Sequence, residues 1–169
     1  MPDSKLVGLL LDSWDDLDRV VAGLNSETAV VSAEGGSSFA WTVAHLASQV
    51  DGSINVRFQR QEAHPLIGQY RFRARGSGAA EEWWAILTAV HEVRESARAY
   101  LEGMDDGDLD LVIPYQGSLA PLRESGISLR HVLIRSSVHH YFHIGEIAAK
   151  RNRLGHEVGE YPGLLGRTI

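Results

Sequence analysis

The segment Val138–His139–His140–Tyr141–Phe142–His143–Ile144–Gly145–Glu146–Ile147 holds three of the chain's eight histidines. On a helix turning about 100° per residue, His139 and His143 lie about 40° apart, one turn from each other on the same face. Two imidazoles at that spacing can share one divalent ion. The sequence contains no cysteine. Thiolate ligands, cysteine nucleophiles and iron–sulfur clusters are therefore excluded, and any metal must rest on nitrogen or oxygen. Two ligands hold an ion loosely, so a third is needed from elsewhere. His45, in Trp41–Thr42–Val43–Ala44–His45–Leu46–Ala47–Ser48–Gln49, is the candidate. Three neutral imidazoles would leave positions open for water or substrate, the arrangement of a catalytic site.

Other histidines compete for these roles. His140 pairs with His143 at i, i+3, but it points along the apolar stripe of Leu129, Leu133, Ile144 and Ile147 and reads as a packed, hydrogen-bonded side chain. His91 reads as a surface residue beside Val90, with a second reading as a ligand. His64, His131 and His156 read as loop or helix-rim residues. Glu146 and Arg135 share the flank of His139 and His143, and Gln49 lies beside His45. Such a polar row at the edge of a core-facing surface is costly unless it lines a polar site. Glu146 is either an acceptor for a ligand N–H or a residue facing the neighbouring helix. Gly145, lacking a side chain, permits close approach of a helix at some cost in helix stability. The sequence has no His-Glu-x-x-His, no Glu-x-x-His pair, no Gly-x-Gly-x-x-Gly and no Walker motif, which removes zincin, carboxylate di-iron and nucleotide-binding chemistry.

Four helical segments must position these groups. The first spans about residues 3–24, with Leu6, Leu10, Trp14, Leu17, Val21 and Leu24 at three- and four-residue steps and Asp3 or Ser4 as N-cap. The second, about 38–60, follows Glu34–Gly35–Gly36–Ser37 and is capped by Ser37 or Ser38; its apolar stripe is Leu46, Val50 and Ile54. The third, about 80–102, places Glu81 and Glu82 in its first turn, where the helix dipole favours carboxylates, and stops at Gly103. The fourth runs from about 128 to 154, with Gly155 beyond its end. Tyr70–Arg71–Phe72–Arg73 alternates with period two and suggests a short extended stretch, as does Leu111–Tyr115. Long connections of this kind suit an all-α four-helix bundle with crossover connections, a single domain over residues 1–169. Trp14, Trp41, Trp83 and Trp84 read as core and interface anchors.

With 169 residues, 44% hydrophobic and 22% charged, the composition is that of a folded globular chain, not a disordered, collagenous or disulfide-stapled one. A net charge of −6 argues against broad binding to nucleic acid or anionic membranes. No segment approaches the ~20 apolar residues of a membrane span, and the short run Leu6–Leu11 is no signal h-region; a cytoplasmic location is the expectation. The acidic clusters Asp12–Asp15–Asp16–Asp18 and Asp105–Asp106–Asp108–Asp110 read as solvated faces or turns. Arg57, Arg60, Arg71, Arg73 and Arg75 read as a solvated loop, with a second reading, shared with Arg135, as partners for a substrate carboxylate.

Val43–Ala44–His45–Leu46–Ala47 and His139-x-x-x-His143-x-Gly145–Glu146, on a chain of this length, resemble the DinB/YfiT-like metalloenzymes. The resemblance extends over nearly the whole chain, although two short motifs carry it. It implies a helical bundle with ligands at His45, His139 and His143 holding one divalent ion: nickel, zinc, iron or manganese in different members. It also implies a homodimer and a small-molecule substrate. Relatives include transferases using a low-molecular-weight thiol and a branch that isomerises maleylpyruvate with mycothiol, so thiol S-transfer or small-molecule hydrolysis is the expected chemistry. A non-catalytic, stress-associated bundle with a structural His cluster is the alternative. The family often carries Arg-Gly-Gln after the last histidine, where this chain has Ile144–Gly145–Glu146.

Overall fold

A serine or asparagine side chain opens four of the helices. In the computed structural model, which describes residues 4–32 and 36–169, α1 (Lys5–Val21) starts at Ser4, whose hydroxyl accepts from the Leu6 amide. The short α2 (Ser26–Val30), unforeseen in the sequence, is capped by Asn25. Ser38 caps α3 (Phe39–Val50), and Ser128 caps the last helix. Each cap satisfies an amide that the first helical turn leaves unpaired. Asp3, the other expected cap of the first helix, and Glu34–Gly35 lie outside the described residues.

The second expected helix is continuous in path but not in hydrogen bonding. After Val50 the chain passes into a π-helical stretch, Asp51–Phe58. The third helix, α4, spans Trp83–Leu101 and begins later than expected: Glu82 occupies the cap position and Glu81 lies outside, so the carboxylates are not in the first turn. The Glu82 carboxylate is held instead by Arg71. Beyond α4 come a 3-10 turn (Asp108–Asp110), β1 (Val112–Ile113), α5 (Leu122–Ser125), β2 (Ile127–Ser128) and α6 (Leu129–Arg153). The two strands pair antiparallel, Val112 with Ser128 and Ile113 with Ile127, so the extended stretch expected at 111–115 is present as a two-residue strand. The one expected at 70–73 is not. Tyr70–Phe72 is a 3-10 turn, because Phe72 is buried in the core while Tyr70 stays exposed, leaving no paired face to bury. Gly155, past the end of α6, has φ +77°, the left-handed conformation that glycine adopts without strain.

The protein is all-α apart from this small ribbon. The most extensive packing joins α1 to α6 and α3 to α4, and α6 also meets α3. One apolar cluster fills the centre, including Leu10, Trp14, Leu17, Leu46, Ile86 and Leu133. Trp41 and Trp83 join it, but Trp84 is 63% exposed and is no core anchor, since it sits one position round the helix from Trp83. Among the described residues no helix is long and apolar enough to cross a membrane.

The acidic cluster on α1 departs from expectation. Asp15 and Asp18 are exposed, but Asp12 and Asp16 are buried. They are buried because the C-terminal segment returns over α1 and places donors on them: the Arg167 amide and guanidinium and the Thr168 hydroxyl on Asp12, and the Gly163 amide on Asp16. The second cluster is the exposed turn expected. Asp105 accepts from the Gly107 and Asp108 amides, and Asp110 pairs with Arg130 at 2.6 Å.

Candidate metal centre

His45 is carried on α3 and His139 and His143 on α6. One ring nitrogen from each lies within 4.8 Å of the others. The i, i+4 spacing on α6 stacks two imidazoles edge to face, with centroids 4.6 Å apart. The packing of α3 beside α6 brings the third to within 5.2 and 5.3 Å of them. His45 Nε2 lies 3.1 Å from His139 Nε2.

Two of the rings are fixed from behind. His45 Nδ1 lies 2.7 Å from the Phe72 carbonyl. A carbonyl can only accept, so Nδ1 carries the proton and Nε2 presents a lone pair toward the other imidazoles. His143 Nδ1 lies 2.7 Å from Glu146 Oε2, which leaves its Nε2 as the free donor atom by the same argument. A carboxylate or carbonyl behind each ligating imidazole is the usual means of setting tautomer and ring orientation. Of its two expected roles, Glu146 takes that of acceptor, for the His143 N–H, and it is itself held: Lys150 Nζ donates to Oε1 at 2.5 Å and the Ser37 hydroxyl at 3.3 Å. Burial pushes the Glu146 carboxyl up, but the hydrogen bonds from Lys150 and His143 outweigh it and hold the group below its ordinary range. Trp41, one turn before His45, stacks on its ring at 4.8 Å, with 4° between planes. Ser37, Trp41, Phe72 and Lys150 were not among the expected site residues. Lys150 and Trp41 sit four residues from Glu146 and His45 on their own helices, a spacing visible in the sequence. The Phe72 carbonyl comes from a distant turn and has no such signal.

Burial lowers the His45 imidazole below its ordinary value. It lowers His139 to about 4, helped by the charges of His143, His45 and Arg135. Both rings are therefore neutral near pH 7, the state in which imidazole can ligate. His140 does not join them. It is buried on the core side, its Nδ1–H donates to the Ser136 carbonyl at 2.8 Å, and burial pushes it down to about 3. His91 is exposed on α4 and takes no part in the cluster. His64 is tied into its loop by the Leu66 and Ile67 amides and by Glu92, while His131 is exposed and His156 half-buried at the two ends of α6. Gly145 is exposed, and among the described residues no atom lies within 4 Å of where a Cβ would sit and no helix approaches it closely.

His45 and His139 open onto a cavity of about 640 Å³ between α3, the π-helical stretch and α6. Gln49, Arg135, Arg57 and Arg73 line it, with Tyr115 and Leu119 from the crossover. Gln49 and Arg135 thus share one cavity wall with His45 and His139. Arg60, Arg71 and Arg75 do not line the cavity. The donor set suits a divalent ion: three imidazoles, two of them with the distal nitrogen held by an acceptor, and two of them, His45 and His139, beside open space. The profile of the DinB superfamily matches residues 9–147. No curated protein and no solved structure matches the chain.

Proposed function

The chain belongs to the DinB superfamily, and on that premise we propose that it is a cytoplasmic, divalent-metal-dependent enzyme acting on a small molecule, with the ion held by His45, His139 and His143. The observation that carries this reading is the convergence of three imidazole nitrogens within 4.8 Å, with His45 and His139 at the wall of a large cavity. A divalent ion held there supplies Lewis acidity, lowering the pKa of a coordinated water or thiol so that a nucleophile exists near neutral pH. The affinity order for nitrogen ligands favours nickel or zinc over iron or manganese.

The chain's own residues position and orient. The Phe72 carbonyl and Glu146 keep protons on the far nitrogens of His45 and His143, so the near nitrogens stay free to donate. Lys150 and Ser37 hold Glu146 in place. With no cysteine in the sequence, thiol transfer requires a thiol brought by a second substrate, and the cavity has room for it. Thiol S-transfer and hydrolysis are the two reactions this centre suits. A structural His cluster in a non-catalytic bundle would have filled space before the imidazoles; the open cavity favours the enzyme.

A second copy of the chain is the proposed partner. Ile134, Val138 and Phe142 form an exposed apolar row on α6, continued by Gly145, which leaves room for a facing helix. Sedimentation should give a dimer for the wild type and a monomer for Phe142→Glu; a wild-type monomer overturns this part. The metal reading is tested by elemental analysis of protein purified without a metal-affinity tag. Near-stoichiometric metal, lost in His139→Ala, is expected. No uptake by either protein after incubation with zinc and nickel overturns it.

A further inference from the structure

Three guanidiniums line the cavity beside His45 and His139: Arg57 from the π-helical stretch, Arg73 from the connection that leads to α4 and Arg135 from α6. Elsewhere Arg19, Arg71, Arg94, Arg98, Arg130 and Arg167 each hold a carboxylate. Among the described residues none of the three cavity arginines does. Arg57 lies over the face of Tyr115 at 4.8 Å and Arg73 over Tyr70 at 5.8 Å, contacts that orient a cation without neutralising it. The one carboxylate in the lining, Asp51, is already used: Oδ1 accepts from Asn55 and Oδ2 from the His64 amide. The cavity is thus net cationic in a chain of charge −6. Part of its wall is apolar, from Val56, Leu119, Ile127 and Val132, with Gln49 and several serines between.

Unpaired guanidiniums converging on a partly apolar cavity are matched by a ligand with a carboxylate and a hydrophobic body. We infer that the cavity binds a small organic carboxylate, with Arg57, Arg73 and Arg135 as its charged partners and the apolar wall receiving its body. Naming that ligand a substrate rests on the metal-enzyme reading; the binding itself does not. Arg135 stands one helical turn before His139 on α6 and both line the cavity, so a carboxylate held by Arg135 lies beside that imidazole.

Calorimetry on the full chain, as purified and again after chelator treatment, tests this with 2-naphthoate and 4-phenylbutyrate against their primary amides. At least one carboxylate is expected to bind saturably, about tenfold or more tighter than its amide, with affinity falling as salt rises. The preference should survive chelation, and Arg57→Gln, Arg73→Gln or Arg135→Gln should each reduce it. Failure of both carboxylates to bind, equal affinity for acid and amide, or a preference lost on metal removal overturns the inference. So does undiminished binding by the triple glutamine variant. The acid–amide comparison uses the unmutated chain and does not depend on the variants folding. Carboxylate binding without metal uptake would sink the metal reading alone; metal uptake without carboxylate preference would sink this one alone.

Discussion

Glu146 connects the imidazole cluster to the body of the protein. Its Oε2 accepts from His143 and its Oε1 from Lys150 and Ser37, so three groups fix one carboxylate and the carboxylate fixes one ring. In Glu146→Gln the amide nitrogen must face either Lys150 or His143, both donors, and one contact is lost. Metal affinity should fall about 10–100-fold, read by competition with a chromophoric chelator; unchanged affinity would mean that the carboxylate only braces the helix. His140 makes a different point. Its folded-state pKa is pushed to about 3 by burial, while in the unfolded chain it titrates near 6.5. Above about pH 6.5 both states are neutral and the residue has no effect on the pH dependence. As pH falls from there toward 3 the unfolded state takes up the proton first, so stability is lost across that window. Urea midpoints of metal-free protein should therefore drop more steeply between pH 6.5 and 4 for wild type than for His140→Gln. Parallel profiles would show that His140 is not a source of the acid sensitivity.

At the scale of the element, the π-helical stretch matters most. A wider turn admits an extra residue and shifts the side chains that follow round the axis, and such turns recur at functional sites. Here it directs Gly52, Ser53, Val56 and Arg57 to the cavity while Ile54 and Asn55 stay buried. Asp51 and Asn55 hold it: Asn55 donates to Asp51 and to the Val93 carbonyl of α4, and Asp51 accepts the His64 amide. Asp51→Ala removes the acceptor of the part-buried His64 amide and one of the two acceptors of the buried Asn55 side chain, and should cost about 2–3 kcal/mol in denaturant unfolding. If Arg57 is aimed by this stretch, the same variant should also weaken carboxylate binding. The periodicity of Leu46, Val50 and Ile54 predicts a helix here but cannot distinguish α from π, because both bury the same three residues.

For the whole molecule, the C-terminal segment acts as a strap over α1. Asp12 and Asp16 anchor it, and Gly8 lets it come close: a Cβ at that position would fall on the Arg167 carbonyl. Asp12→Ala leaves the Arg167 amide and the Thr168 hydroxyl without their acceptor. It should cost about 2–3 kcal/mol, lowering Tm by roughly 5–10 °C, measurable by calorimetry. Gly8→Ala should displace the same strap, so the double variant should lose less than the sum of the two. Full additivity would indicate that the strap is not one unit. Because the strap and its anchors touch none of the groups that hold the three imidazoles, metal uptake should survive both changes.

Much of this protein is written in local pattern. Helix periods, the serine caps at Ser38 and Ser128, the glycine beyond α6 and the one-turn spacing of His139 and His143 all depend on residues within a turn or two, whose geometry the backbone sets by itself. The same period put His140 on the core side and Glu146 near His143. Partners distant in the chain were not legible. The Phe72 carbonyl behind His45, the strap that buries Asp12 and Asp16, the π turn and the closing of three arginines on one cavity arise only when separate segments pack. A solvated aspartate and a buried, bonded one have the same local sequence signal, since the strap donors that decide between them come from 147 to 156 residues away. Sequence determined which residues could ligate and along which face, because that is geometry within one helix. Tertiary structure decided how they are held and what they face, because hydrogen bonds and burial are made between elements.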